Sequence, residues 1–174
     1  MAVCSECGID EAGLTIRDGL DALRSFPRRF RAAVDGVSDP DLRARPTAQV
    51  WSMLEYLVHT REIFDVLGMG LPLVFEQPGI AFPAFPAFSV DESVTTRPAR
   101  VMNPELALTG IEDAVGLLLA ASDGTPNEAW TRPFTLGTEH HDAGWIVRHA
   151  AHEGAHHLRD IAHVRALVTG EHED

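Results

Sequence analysis

Between His149 and Asp160 the chain reads HAAHEGAHHLRD, four histidines with a glutamate and an aspartate in a stretch whose alanines favour helix. Imidazoles and carboxylates are the side chains that hold divalent metals and move protons near neutral pH. At about 100° per residue, His149, His152 and His156 fall on one helical face, and His163 joins them two turns on. His152 and His156 stand one turn apart, so their rings can converge on one ion. His157 is expected to point elsewhere, toward solvent or another helix. Asp160, one turn beyond His156, is placed to orient a histidine.

His152-Glu153-Gly154-Ala155-His156 also spells H-E-x-x-H, the zinc-protease pattern. The extended form of that pattern wants glycine at 159 and histidine at 162, where this chain has Arg159 and Ala162; His163 misses by one. Gly154 inside the motif weakens the helix. A protease is therefore a poor reading. Two helical ligands still leave a catalytic site short of its third. The one histidine of the first 139 residues, His59, lies in the apolar run LEYLVHTREIF. Alone it reads as a buried histidine satisfied by Glu55 or Glu62. With the pair on the last helix it predicts a site of His59, His152 and His156 with open positions. Ligands without charge leave the ion its full positive charge for polarising what it binds. Arg61, Arg148 and Arg159 flank these positions and are placed either to attract an anionic reactant or to pair with neighbouring acids.

Cys4 and Cys7 are the only cysteines, followed by Gly8. C-x-x-C-G has the shape of half a zinc knuckle, and a full four-cysteine site needs a second pair. A homodimer bringing two N-termini together would supply it; a redox dithiol and a plain tail are the other readings.

The elements that must position these groups are helical. One helix is predicted over about 12–37, kinked or broken at Pro27, and a turn-rich connector, SDPDLRARPTAQ, follows it. A second spans about 48–69, capped by Thr47 and ended by Gly68 or Gly70. A third spans about 104–122, with Asn103 as N-cap and Pro104 in the first turn. The fourth spans about 142–169 and ends at Gly170. Between the second and third, 71–100 is rich in proline and phenylalanine and reads as a lid or binding loop. No strand alternation stands out, so an all-α four-helix bundle is expected over 12–174, after an N-terminal C-x-x-C tail at 1–11. A chain of 174 residues, 45% apolar, fits one such domain. A net charge of −12 argues against nucleic acid, and no apolar run approaches the ~20 residues of a membrane span. The N-terminus lacks signal-peptide features, so a cytoplasmic protein is expected.

With these features in place, the sequence resembles the DinB/YfiT-like superfamily, which includes the mycothiol-dependent maleylpyruvate isomerase N-terminal domains and the bacillithiol S-transferases. The likeness rests on VWSMLEYLVHTREIF, with a tryptophan eight residues before the histidine, and on H-x-x-x-H-H-x-x-D-I within HAAHEGAHHLRDIAHVRAL. It covers about 14–167. The resemblance implies an up-down-down-up bundle, often dimeric, holding zinc or nickel through one residue of the second helix and two of the fourth. Carried over, these are His59, His152 and His156, with a histidine at 152 where isomerase-type members have a carboxylate. It implies a small thiol such as mycothiol as cosubstrate, an electrophile as partner, and S-transfer or isomerisation as the reaction. Asp160, His149 and Glu153 are then candidates for catalytic or ligand-orienting roles. A non-catalytic metal-binding bundle and a metal-dependent hydrolase are the competing readings.

Overall fold

The computed structural model describes residues 3–84 and 101–170. Its elements are α1 (Ile16–Val34), α2 (Asp39–Arg43), α3 (Met53–Glu76), β1 (Ala81–Phe82), α4 (Pro104–Ser122), β2 (Pro133–Leu136), β3 (Glu139–Asp142) and α5 (Ala143–Thr169), with 3-10 turns at Glu11–Gly13 and Asn127–Thr131. The four long helices form an up-down-down-up bundle, with α3 packed against α4 and α5, and α1 against α5 and α4.

Caps set the helix starts. Thr15 and Asp18 form a reciprocal capping box on α1, so that helix begins four residues later than the apolar periodicity suggests. Ser52 and Glu55 do the same for α3, in place of Thr47. Asn103 caps α4 as expected, and Asp142 caps α5 by accepting the Trp145 N–H at 2.8 Å. Gly170, at φ 72, closes α5 in the left-handed conformation.

Breakers yield to burial. α1 continues through Pro27, flanked by Phe26 and Phe30, both fully buried. α3 continues past Gly68, Gly70 and Pro72 because Leu71, between the last two, and Val74, beyond them, are fully buried. The first residues of the expected 71–100 loop are therefore helix. Phe26 stacks on Phe64 at 5.9 Å, joining α1 to α3 at the bundle's centre.

The described residues also contain a three-stranded sheet, an addition to the all-α expectation. β1 pairs parallel to β2, and β2 pairs antiparallel to β3 with Phe134 opposite His141. Strands of two to four residues are too short to show alternation in the sequence. Phe82, Pro83 and Ala84 line an apolar cavity of about 360 Å³ with α3, β2 and α5. The rest of the expected lid, including Phe85 and Phe88, lies outside the described residues.

Candidate metal centre

The rotation of α5 about its axis decides which histidines meet. Its buried stripe is Val147, Ala150, Gly154, His157, Leu158, Ile161 and Val164. Gly154 is the point of closest approach: a Cβ there would lie 2.4 Å from the Phe26 ring. That contact puts His157 inside the bundle, 7% exposed, and Glu153 beside it, while His152 and His156 flank the stripe and His163 is exposed.

His59, also 7% exposed on α3, therefore meets Glu153 and His157. One ligand atom from each of the three lies within 4.8 Å of the others. The expected grouping of His59 with His152 and His156 is not assembled; of the two directions expected for His157, solvent or another helix, it takes the second, toward α3. The structure gathers His152 and His156 with Cys4 and Cys7, and His152 also with Glu11 and His149.

The donors suit a divalent ion. His157 Nε2 and Glu153 Oε2 are 3.4 Å apart. Ligand bonds of about 2.0–2.2 Å in tetrahedral geometry imply a ligand-to-ligand separation of roughly 3.4 Å. His157 Nε2 is buried and faces the Glu153 carboxylate. Its Nδ1 instead lies 2.9 Å from Asp160 Oδ2, which only accepts, so Nδ1 carries the proton and Nε2 faces the ligand cluster. The ring planes of His59 and His157 cross at 70° with centroids 5.0 Å apart.

The charges of the cluster are coupled. Burial opposes ionisation of Glu153, but the hydrogen bond from His157 and the fields of His149, His157 and His152 outweigh it and bring the carboxyl down to about 2. Burial likewise opposes charging His157, and Asp160 and Glu153 overcome it, so its pKa is raised.

A cavity of about 410 Å³ opens on this cluster, lined by Gln49, Trp51, Tyr56, His59, His157 and Asp160, with His156 and Glu6 at its N-terminal side. Burial, followed by the charges of Asp160, Glu6 and Glu55, holds the Tyr56 phenol up at about 12, so it stays protonated. Trp51 packs edge-on to His59 at 4.9 Å, and its buried indole N–H has no partner among the described residues. Tyr56 and Trp51 escaped the sequence reading as functional groups. Their positions, three residues before His59 and eight before it, held the signal.

The remaining candidates have other surroundings. His149 stacks on Trp145 at 4.3 Å and places Nδ1 3.1 Å from Glu11 Oε2 and Nε2 3.9 Å from Glu153. Arg61 lies 3.3 Å from Asp65, Arg148 lies 2.9 Å from Asp142, and Arg159 donates to the Glu6 carbonyl, so none of the three lines the cavity. The Cys4 thiol is pulled down to about 6, foremost by the backbone N–H of Cys7 and then by His152, while burial raises that of Cys7.

Comparison with known proteins places this arrangement in a family. YfiT from Bacillus subtilis, described as "a probable metal-dependent hydrolase with an unusual four-helix bundle topology", superposes with a TM-score of 0.77 over 90% of this chain and 89% of its own, at 14% identity. A search of the curated proteins finds no match. The family model of the DinB superfamily matches residues 22–161, from α1 to the end of the α5 ligand stripe, and the chain belongs to that superfamily.

Proposed function

We propose that this protein is a divalent-metal-dependent enzyme that presents a low-molecular-weight thiol, of the mycothiol type, to a small electrophile, as an S-transferase or isomerase. The observation that carries the reading is a three-donor set of which two members, His59 and His157, line an open cavity. Three protein ligands leave positions for a reactant, whereas structural ions are closed off by four. An ion held by His59, Glu153 and His157, zinc or nickel, supplies a Lewis acid that lowers the pKa of a coordinated thiol or water.

The chain's own groups do the rest. Asp160 fixes the His157 tautomer and ring orientation. Tyr56, protonated across the physiological range, donates its hydroxyl proton as a hydrogen bond to a ligand in the cavity, and the Trp51 N–H is a second donor. Among the described residues the lining contains Glu6 and Asp160 and no arginine, which favours a thiol that is neutral apart from its sulfur over an anionic one.

Hydrolysis is the second reading. Two imidazoles and one carboxylate are the ligands of several hydrolytic zinc enzymes, and YfiT is described in those terms. The two are separated by assaying metal-loaded protein with a small thiol plus an alkyl or aryl halide, and with esters and amides lacking any thiol. Thiol conjugation that needs metal, is lost in His59→Ala and falls about 10- to 100-fold in Asp160→Asn is the expected result. Thiol-independent hydrolysis gives the second reading. Bound metal with turnover in neither assay overturns both.

A further inference from the structure

Cys4 and Cys7 take no part in the centre above, yet the fold gives them partners. Gly8, at φ 76, closes a turn in which its N–H donates to the Cys4 carbonyl at 2.9 Å and the Cys4 N–H donates to the Ile9 carbonyl at 2.9 Å. The backbone N–H groups of Cys7 and Glu6 are directed at the Cys4 sulfur. Successive N–H groups converging on one atom form a concavity for negative charge, here a thiolate.

This turn sits on the flank of α5. One ligand atom from each of Cys4, Cys7, His152 and His156 lies within 4.8 Å of every other. Cys4 Sγ is 3.8 Å from His156 Nδ1. With Zn–S about 2.3 Å and Zn–N about 2.0 Å, a tetrahedral site sets these atoms roughly 3.5 Å apart. Each imidazole also has a carboxylate near one nitrogen: His156 Nε2 is 3.1 Å from Glu6 Oε2, and His152 Nδ1 is 3.2 Å from Glu11 Oε2. The carboxylate positions leave His156 Nδ1 and His152 Nε2 for an ion, and both His152 nitrogens are buried with no hydrogen-bond partner. The spacing agrees, since C-x2-C and H-x3-H are the two halves of a Cys2His2 zinc site. Here the whole bundle separates them.

The geometry points to a second, structural metal site, a closed tetrahedral Cys2His2 set in which Cys4, Cys7, His152 and His156 bind Zn²⁺ and pin the N-terminal segment onto α5. Both cysteines bind as thiolates, any proton still on either sulfur passes to solvent, and nothing is oxidised or reduced. Because Glu6 lies between the cysteines and lines the cavity, the ion also fixes one wall of the candidate active site. The site stands on different residues from the open cluster, so it holds whether or not the enzyme reading does.

Cobalt titration of the chelator-stripped full chain, under reducing conditions, tests it. Two ions per chain are expected, with a sulfur-to-cobalt charge-transfer band and intense tetrahedral visible bands. Cys4→Ser/Cys7→Ser should abolish the charge-transfer band and remove one ion while leaving the helical circular dichroism intact, since the cysteines lie outside the bundle. His152→Ala should weaken or remove the same bands. His59→Ala should keep them and lose the other ion, which separates failure of this site from failure of the open one. Absence of the charge-transfer band in the wild type overturns the proposal and leaves a dithiol or a plain tail. A band that survives His152→Ala/His156→Ala at half an ion per chain overturns it in favour of thiolates shared between two copies. An ion lost in Glu11→Gln and His149→Ala but not in the cysteine variant overturns it in favour of the overlapping Glu11, His149 and His152 set.

Discussion

His157 and His156 are adjacent in sequence, yet the fold sends one into the bundle and the other to the N-terminal segment. His157→Ala is therefore expected to remove the ion of the open cluster, and His156→Ala the ion shared with the cysteines, as read by metal content beside the cobalt spectrum. Tyr56→Phe should leave metal content unchanged and slow turnover about tenfold, the worth of one hydrogen bond of roughly 1–1.5 kcal/mol. Equal metal content with unchanged turnover would show that the Tyr56 hydroxyl does not reach the reactant. Residue types alone pointed to candidate metal ligands on the last helix. Which three of so many histidines and acids form the open set depends on the phase of α5, and periodicity reports spacing but not phase.

At the scale of elements, that phase is set by Gly154 against Phe26. Gly154→Ala improves helix propensity by about 1 kcal/mol, but its methyl meets a ring locked between Phe30 and Phe64. Overpacking of about 1–3 kcal/mol wins, so the variant should melt lower and bind metal more weakly at His59, Glu153 and His157. The start of α3 carries a second test. Glu55, 1% exposed, accepts from Arg45 Nε at 2.7 Å and Nη2 at 2.6 Å, and from the Ser52 backbone N–H at 2.8 Å. Burial pushes its pKa up, but Arg45 and Ser52 outweigh burial and lower it. A lowered folded-state pKa adds stability that is fully present above the unfolded value of about 4.3 and is lost as pH falls through the folded one. Glu55→Gln should cost about 3 kcal/mol at neutral pH in denaturant titrations and flatten the acid limb of the stability curve. An unchanged acid limb would move the acid sensitivity to other carboxylates. Element existence was legible for all four long helices, because each has an apolar stripe. Their ends were less so: Ser52 and Thr47 are both competent caps, and only the burial of Glu55 selects Ser52. The sheet was hidden by the shortness of its strands and the polarity of Glu139–Asp142.

The whole molecule is a bundle whose N-terminal segment folds back along α5, bringing residues some 150 positions apart into contact. No helix among the described residues is long and apolar enough to cross a membrane. The bundle topology was legible through its family resemblance, whereas the return of the tail to α5 had no local signature beyond the complementary C-x2-C and H-x3-H spacings. Binding to the folded state alone stabilises by about 2.7 kcal/mol at a hundredfold excess over Kd. With two such sites the total is about 5.4 kcal/mol, so stripping both ions from the wild type should lower Tm by about 11–22 °C, at about 2–4 °C per kcal/mol for a chain of this size. The shift should be smaller for His59→Ala, which has lost one of the two ions already.

Anomalous diffraction at the zinc edge from crystals of the zinc-loaded protein tests the central claim most directly. The account predicts a peak about 2.0–2.2 Å from the ligand atoms of His59, Glu153 and His157, facing the cavity of Tyr56 and Trp51. A peak joining His59 to His152 and His156, or none near His59 at full zinc loading, would contradict it.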